Sequence, residues 1–364
     1  MEETFKDIHR SFKLNGYHIP KEALREVGYS LIKEGSSYER SIGDFLLDWL
    51  DEKPTVQVMT SGSTGTPRLI HLKKEHMINS ALATGKFFAL EPKDTALLCL
   101  PADYIAGKMM LVRAMVLGLA LDYVEPSSNP LGLTTNTYDF CAMVPLQLQN
   151  SIKHLKRINT LIVGGAPVSR NVRAQIPESQ TRIFETYGMT ETVTHIAAKR
   201  LSRDDKTSNQ NNHNTSFSAL PGVAFSIDRR DCLTIKAPKV SETQIVTNDI
   251  VVLISHTEFK WLGRYDNIIN SGGIKLVPEQ VEAKLSSLLD TRFFIAGLPD
   301  PDLGQKAVLV IEGETDREQL KQRMASSHSL DKFEIPRAIY TVPRFAETRT
   351  GKIHRKKTLD SLTV

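Results

Sequence analysis

Cysteine is scarce in this sequence. Three are present in 364 residues, Cys99, Cys141 and Cys232. They form no CxxC pair and an odd number cannot all bond, which argues against a disulfide framework or a cysteine zinc site. The same scarcity suits a reducing compartment, so the expected location is cytoplasmic. Net charge is small as well: 46 basic residues against 42 acidic ones leave +4, too little to call for a nucleic-acid partner. The sequence also has no long hydrophobic run. Its most apolar segment, Ile105 to Val124, is interrupted by Lys108 and Arg113 and reads as a core helix and strand rather than a membrane span. The first residues, Met1-Glu2-Glu3-Thr4-Phe5-Lys6-Asp7, carry no apolar stretch of the kind a secretory signal needs.

What is present is a long region punctuated by glycine and hydroxyl residues, followed by a small unit in which the pattern restarts. The length suits two domains. Residues 1–50 read as helical, with an apolar face at Phe45-Leu46-Leu47 and Trp49-Leu50. Thr55 to Met59 and Leu69 to Leu72 read as a strand pair around a loop, and Lys74 to Phe88 as a helix. Strands at Ala96–Leu100, Phe140–Val144, Thr160–Val163 and Arg182–Thr186 alternate with helices, the pattern of a layered and largely parallel sheet. Residues 202–218 are polar and read as an exposed loop.

Four stretches could carry chemistry. The loop Thr60-Ser61-Gly62-Ser63-Thr64-Gly65-Thr66-Pro67-Arg68 packs hydroxyls, glycines and one cation together, which suits either a phosphate cradle or a mobile polar turn. It is not a GxxxxGK[ST] loop, because Pro67-Arg68 stands where Gly-Lys is needed. Tyr187-Gly188-Met189-Thr190-Glu191-Thr192 puts an aromatic beside glycine, then a hydroxyl and a carboxylate. This set could stack on a purine and reach phosphate and magnesium, or it could be a strand-end aromatic and a helix-start acid. Asp249 is one acid inside the apolar stretch Ile245 to Leu253, fit for a ribose hydroxyl pair or a turn cap. Gly263-Arg264-Tyr265-Asp266-Asn267, followed by Ser271-Gly272-Gly273, suits either a pivot between domains or an ordinary strand-turn-strand. Near the end, Glu347 to Lys357 reads as a basic solvated tail in which Lys352 follows Gly351 in a turn.

Taken in order, TSGSTGTPR, GGAP, YGMTET, TND, GRYDN with SGG, and TRTGK resemble the adenylate-forming superfamily of acyl-CoA synthetases, peptide-synthetase adenylation domains and luciferases. The resemblance runs from about Val56 to the C-terminus. Within that superfamily, the compact length and the run YGMTETVTHIAAKR are most similar to the o-succinylbenzoate–CoA ligases of menaquinone biosynthesis.

The resemblance implies an α/β fold: a large N-terminal layered domain with mostly parallel sheets, residues 1–265, and a small mobile C-terminal α+β lid, residues 266–364. It implies ATP, Mg²⁺ and CoA as co-substrates and cofactor, with a small carboxylic acid as partner. By matching positions, Thr60, Ser61, Gly62, Ser63, Thr64, Gly65 and Arg68 would hold the β- and γ-phosphates. Gly165, Ala166, Pro167 and Tyr187 would sandwich adenine, and Asp249 and Arg264 would hold the ribose. Thr190 would touch the α-phosphate, Glu191 the metal, and Lys352 the reacting carboxylate and phosphate. Asp266 would be the hinge, Gly272 and Gly273 would flank the CoA channel, and Tyr104 and Gly188 would line the acyl pocket.

Three departures limit the carry-over. The phosphate loop reads Pro67-Arg68-Leu69 where the superfamily usually has Pro-Lys-Gly. Tyr104 stands where a histidine is common. The region before the loop is short. Two other readings remain: an adenylating ligase for another aryl or short acyl acid or for a carrier-protein thiol, and a nucleotide-binding regulator or NTPase that makes no acyl-adenylate.

Overall fold

The computed structural model describes residues 8–59, 69–177, 180–201, 216–347 and 353–362. The hydroxyl-rich loop Thr60–Arg68, residues 202–215 and Lys352 therefore lie outside the described residues. Two compact units account for the chain: Met1–Ala224 with Ile235–Ile245, and Phe225–Thr234 with Val246–Val364.

In the first unit the strands are β1 (Lys13–Leu14), β2 (Tyr17–His18), β3 (Thr55–Met59), β4 (Leu69–Lys73), β5 (Thr95–Leu98), β6 (Ala120–Tyr123), β7 (Tyr138–Met143), β8 (Ile158–Val163), β9 (Arg182–Gly188), β10 (His195–Arg200) and β11 (Phe217–Ala219). The helices are α1 (Leu24–Glu34), α2 (Ser37–Leu50), α3 (Lys74–Phe88), α4 (Ile105–Leu117), α5 (Pro145–Ser151) and α6 (Arg170–Gln175). The sheet runs β11-β10-β9-β8-β7-β5-β6-β1-β2. Strands β6, β5, β7, β8 and β9 run parallel to one another, and β10 and β11 continue the sheet antiparallel. The parallel strands are near-continuous apolar runs such as Ala96-Leu97-Leu98, because helices cover both faces and leave no wet side. Helix α4 is buried over most of its girth, Arg113 included. Strands β3 and β4 form a separate hairpin whose register pairs Met59 with Leu69, so both ends of the loop they carry are fixed side by side.

The second unit holds β12 (Ala224–Ile227), β13 (Cys232–Lys236), β14 (Ile245–Ser255) and β15 (Glu258–Arg264) in neighbour order, then a further sheet. That sheet comprises β16 (Ile269–Ser271), β17 (Ile274–Leu276), β18 (Phe293–Asp300), β19 (Gly304–Glu312) and β20 (Ala338–Val342), with α7 (Pro278–Leu285), α8 (Arg317–Ala325) and α9 (Arg355–Asp360). Period-2 alternation splits β18 and β19 cleanly. Ile295, Leu309 and Ile311 join Val281, Leu285, Leu320 and Met324 of α7 and α8, whereas Phe294, Val308 and Val310 pack with Val342 and Phe345. The α/β class and the smaller C-terminal sheet region accord with the sequence reading. Among the described residues, no helix is long and apolar enough to cross a membrane.

Three local expectations need correction. Residues 1–50 are not all helical: Asn15 and Gly16, at φ 46° and 79°, make a two-residue turn that closes the β1–β2 hairpin. Asn-Gly is a residue pair that tolerates this left-handed turn, and β1 then adds to the sheet beside β6. Phe217–Ala219 is strand β11 rather than loop, held by pairing with β10. Pro101 to Gly107, which the sequence suggests is a loop leaving β5, is not all loop: α4 begins at Ile105 and Tyr104 occupies its N-cap position.

Candidate active site

Strands β8 and β9 bring two of the expected segments together. Their parallel register pairs Val163 with Glu185, and continuing it sets Gly165 level with Tyr187. The loop after β8 is pinned on both flanks. The Gly164 N–H donates to Met143 O (3.0 Å), and the Thr186 hydroxyl donates to Val163 O (3.1 Å). A Cβ on Gly164 would meet Thr186 Oγ1 at 2.7 Å, and Gly165 takes φ +90°, so both glycines are needed here. Glu185, buried in β9, anchors the far end of the loop. Its carboxylate accepts from Arg173 Nη2 (2.6 Å) and Val168 N–H (3.4 Å) and pairs with Lys199 (3.1 Å). Gly165, Ala166 and Pro167 thus lie in a loop pinned at both ends where β8 leaves the sheet, and the Tyr187 ring at the end of β9 lies 5.8 Å from Phe217.

Beyond Tyr187 the chain turns sharply twice. Thr190–Thr192 is one 3₁₀ turn, and Thr194 N–H donates to Thr192 O (2.7 Å) across Val193. Val193 sits at φ 64°, ψ −59°, a γ-turn that a β-branched residue enters only at a cost of about 1–3 kcal/mol. Strain of this kind tends to persist where function requires it. The turn leaves Glu191 exposed, with no ion-pair partner among the described residues, while the Thr192 hydroxyl donates to Thr194 O (2.7 Å). An exposed carboxylate is the kind of oxygen ligand that a hard divalent cation such as Mg²⁺ takes. Gly188 is fixed by packing: a Cβ there would overlap Thr194 O and come within 2.5 Å of His195 Cα, across the β9–β10 pairing.

Two residues that the sequence reading did not assign lie next to this turn. His195 is buried, with Nδ1 3.4 Å from Arg113 Nη2 and Nε2 3.5 Å from the Thr84 hydroxyl. Arg113 is 1% exposed, and its other contacts are Thr84 Oγ1 (3.4 Å), Thr194 Oγ1 (3.5 Å) and Met110 Sδ (3.6 Å). No carboxylate among the described residues pairs with it. Burial lowers the guanidinium pKa from 12.5 to about 9, so it stays cationic at neutral pH. Burial, and then Arg113, hold His195 well below its ordinary 6.5, so the imidazole is neutral. His195 also lines a cavity of about 280 Å³ with Asn79, Ala83, Lys86, Leu220 and Val223; Tyr104 and Gly188 are not among its lining residues. Arg113 had been noted only as a break in an apolar run. A cation at the centre of an otherwise apolar helix was the available signal.

In the second unit, the antiparallel β14–β15 register places Asp249 opposite Arg264. Asp249 is 6% exposed. It accepts from Trp261 Nε1 (3.1 Å) and stands 3.9 Å from Arg264 Nη1. Its own N–H donates to the Thr247 hydroxyl (3.0 Å), which donates in turn to Leu233 O (2.8 Å). Arg264 reaches Asp266 with Nη2 (2.7 Å). Tyr265–Asn267 form a single 3₁₀ turn between β15 and β16. Gly272 and Gly273, at φ +59° and +84°, make the two-residue turn of the β16–β17 hairpin, and this geometry alone accounts for both glycines.

The family profile for AMP-binding enzymes matches residues 44–225, half of the chain. The chain belongs to the AMP-binding enzyme family. This AMP-binding enzyme is 25% identical over 338 residues to a 2-succinylbenzoate–CoA ligase of Listeria monocytogenes, an alignment covering 86% of the chain and 71% of that protein. Among solved structures it is similar to an acyl-CoA synthetase (AMP-forming)/AMP-acid ligase II-like protein from Dyadobacter fermentans. That match has 36% identity and a TM-score of 0.60, and covers 92% of this chain and 97% of the other. It shares its fold with the o-succinylbenzoate CoA synthetase of Bacillus subtilis, solved with its acyl-adenylate intermediate, at TM-score 0.71 and 20% identity over 84% of this chain and 69% of that one.

Proposed function

We propose that this AMP-binding enzyme is an acid–CoA ligase that works through an acyl-adenylate, and that its acid is o-succinylbenzoate. Family membership and the ligase names of its relatives support the reaction class. Arg113 carries the choice of acid. A buried cation without an anion is costly unless something charged comes to it, and the cost is of the order of several kcal/mol. o-Succinylbenzoate is a dicarboxylate. One carboxylate is activated, and the other would lie against Arg113 in place of its long contacts to hydroxyl and sulfur.

In the first step a carboxylate oxygen attacks the α-phosphorus of ATP, and the bond to pyrophosphate breaks. Both reactants are anionic, so positioning and cations matter more than proton transfer. Gly165, Ala166, Pro167 and Tyr187 hold adenine in this scheme, and Asp249 and Arg264 hold the ribose. Thr190 faces the α-phosphate. Thr60, Ser61, Gly62, Ser63, Thr64, Gly65 and Arg68 cradle the outgoing phosphates. Glu191 would hold Mg²⁺, which when bound would supply positive charge against the negative charge that develops. Lys352 supplies the remaining cation. The lid, beginning at Asp266, then turns, and the CoA thiol attacks the acyl carbon past Gly272 and Gly273. The bond between the acyl carbon and the AMP oxygen breaks, AMP leaves with that oxygen and the electron pair, and the thiol proton goes to solvent. The enzyme acts on soluble small molecules and is expected in the cytoplasm.

The test is pyrophosphate release with o-succinylbenzoate beside benzoate and fatty acids, followed by CoA-dependent AMP release. The expected result is release with o-succinylbenzoate alone at low concentration. Preference for a monocarboxylate would overturn the choice of acid. Conversion of ATP to ADP would overturn the ligase reading itself.

A further inference from the structure

We infer that Asn248 and Glu279 are positioning residues that clamp the pivot turn Tyr265–Asn267 from its two sides and so set the balance between the two half-reactions. The inference rests on the reading of the chain as an AMP-forming ligase with its hinge at Asp266. Asn248 Nδ2 donates to both oxygens of Asp266, at 3.0 and 3.3 Å. Its amide cannot turn the other way, because Oδ1 already accepts from Arg230 Nη1 at 2.9 Å. Arg230 is itself fixed: its Nε donates to Asp228 (2.8 Å), its Nη2 to Thr247 O (3.2 Å), and its guanidinium lies 5.1 Å from the Tyr265 ring centre. On the opposite side, Glu279 in the first turn of α7 accepts from Arg264 N–H (3.4 Å) and from Asn267 Nδ2 (2.5 Å). A Cβ on Gly263 would overlap the Glu279 carboxylate, so glycine is what lets this helix sit against the end of β15.

Two of these bonds cross the pivot. Asn248 precedes the turn and holds Asp266 within it, while Glu279 follows the turn and holds the Arg264 N–H before it. A rotation about Asp266 that carries α7 away from β15 must break the second bond and strain the first. Each bond therefore favours one lid orientation over the other. A side chain shifts such an equilibrium only by its differential contacts in the two states, and the Glu279 bond that the rotation breaks supplies such a difference.

The experiment runs the full chain through each half separately: acid-dependent pyrophosphate release, and thioester formation from supplied acyl-adenylate and CoA. Asn248→Ala and Glu279→Ala are expected to change the ratio of the two rates about two- to tenfold, both in the same direction. Glu279→Gln, which keeps one acceptor oxygen for either the Arg264 N–H or Asn267 Nδ2 but not both, is expected to give a ratio between those of wild type and Glu279→Ala. An unchanged ratio in both alanine variants, or an equal fall in both halves, overturns the clamp. Should the wild-type chain run neither half, the reading as a ligase fails by itself. Amide exchange at Arg264 and Ile268 then decides the clamp: faster exchange in both alanine variants supports it, and unchanged exchange overturns it.

Discussion

The rim at the ends of β8 and β9 and the turn after β15 are built in opposite ways. At the rim, position is set by backbone: glycines with no room for a Cβ, N–H groups committed to neighbouring strands, and a buried Glu185 holding the loop end. At the turn, position is set by side chains that are partly wet, with Arg264 41% and Asp266 50% exposed, and by bonds that can be exchanged without opening a core. Exposed ion pairs of this kind contribute little to stability, about 0–1 kcal/mol. If the rim seats the nucleotide and the turn is the hinge, as proposed, the seat gains from being unable to move, whereas the hinge needs contacts that are weak enough to break and specific enough to return.

The largest expected effect lies on the moving side. Lys352→Ala should lower acid-dependent pyrophosphate release by about a hundredfold or more, as loss of one preorganised charge at a reacting centre commonly does. Thioester formation from supplied acyl-adenylate should stay within about twofold, since that step needs no cation at the phosphate. Equal loss of both halves would erase the contrast between seat and lid. Gly188→Ala tests the rigid side. Its new Cβ has only backbone to meet, so the chain should lose about 1–3 kcal/mol in urea unfolding, and both half-reactions should fall together.

A third substitution bears on the acid. Arg113→Leu should lower kcat/KM for o-succinylbenzoate about ten- to a hundredfold while leaving a monocarboxylate nearly unchanged, read from pyrophosphate release over a concentration series. The smallest effect is in pH. His195 is neutral in the fold and titrates below 6.5, whereas the unfolded chain takes up its proton near 6.5. The stability it contributes is therefore complete above that pH and is lost as pH falls below it, by at most about 1.4 kcal/mol per pH unit. Urea melts between pH 7 and 5 should show this slope, and His195→Gln should flatten it.

Much of this was legible in the chain. Helix α3 and strand β3 fall at the expected residues, because local pattern and packing agree there. The Asp249–Arg264 pairing was foreshadowed by two motifs in order, and the antiparallel register supplies the geometry. Other features depend on partners distant in sequence. Phe217–Ala219 becomes a strand only because β10 offers an edge. The γ-turn at Val193 contradicts that residue's own preference and is imposed by the segments on either side. Asn15-Gly16 was readable and was passed over in favour of helical periodicity.

Arg113 has a consequence for anyone redesigning this chain. Among the described residues no carboxylate pairs with this buried cation, so an aliphatic residue there should raise the melting temperature. A thermostability screen run without the acid would therefore enrich variants that have lost their discrimination. The same screen run with the dicarboxylate present would favour the native arginine, because the bound anion would then supply the missing half of the pair.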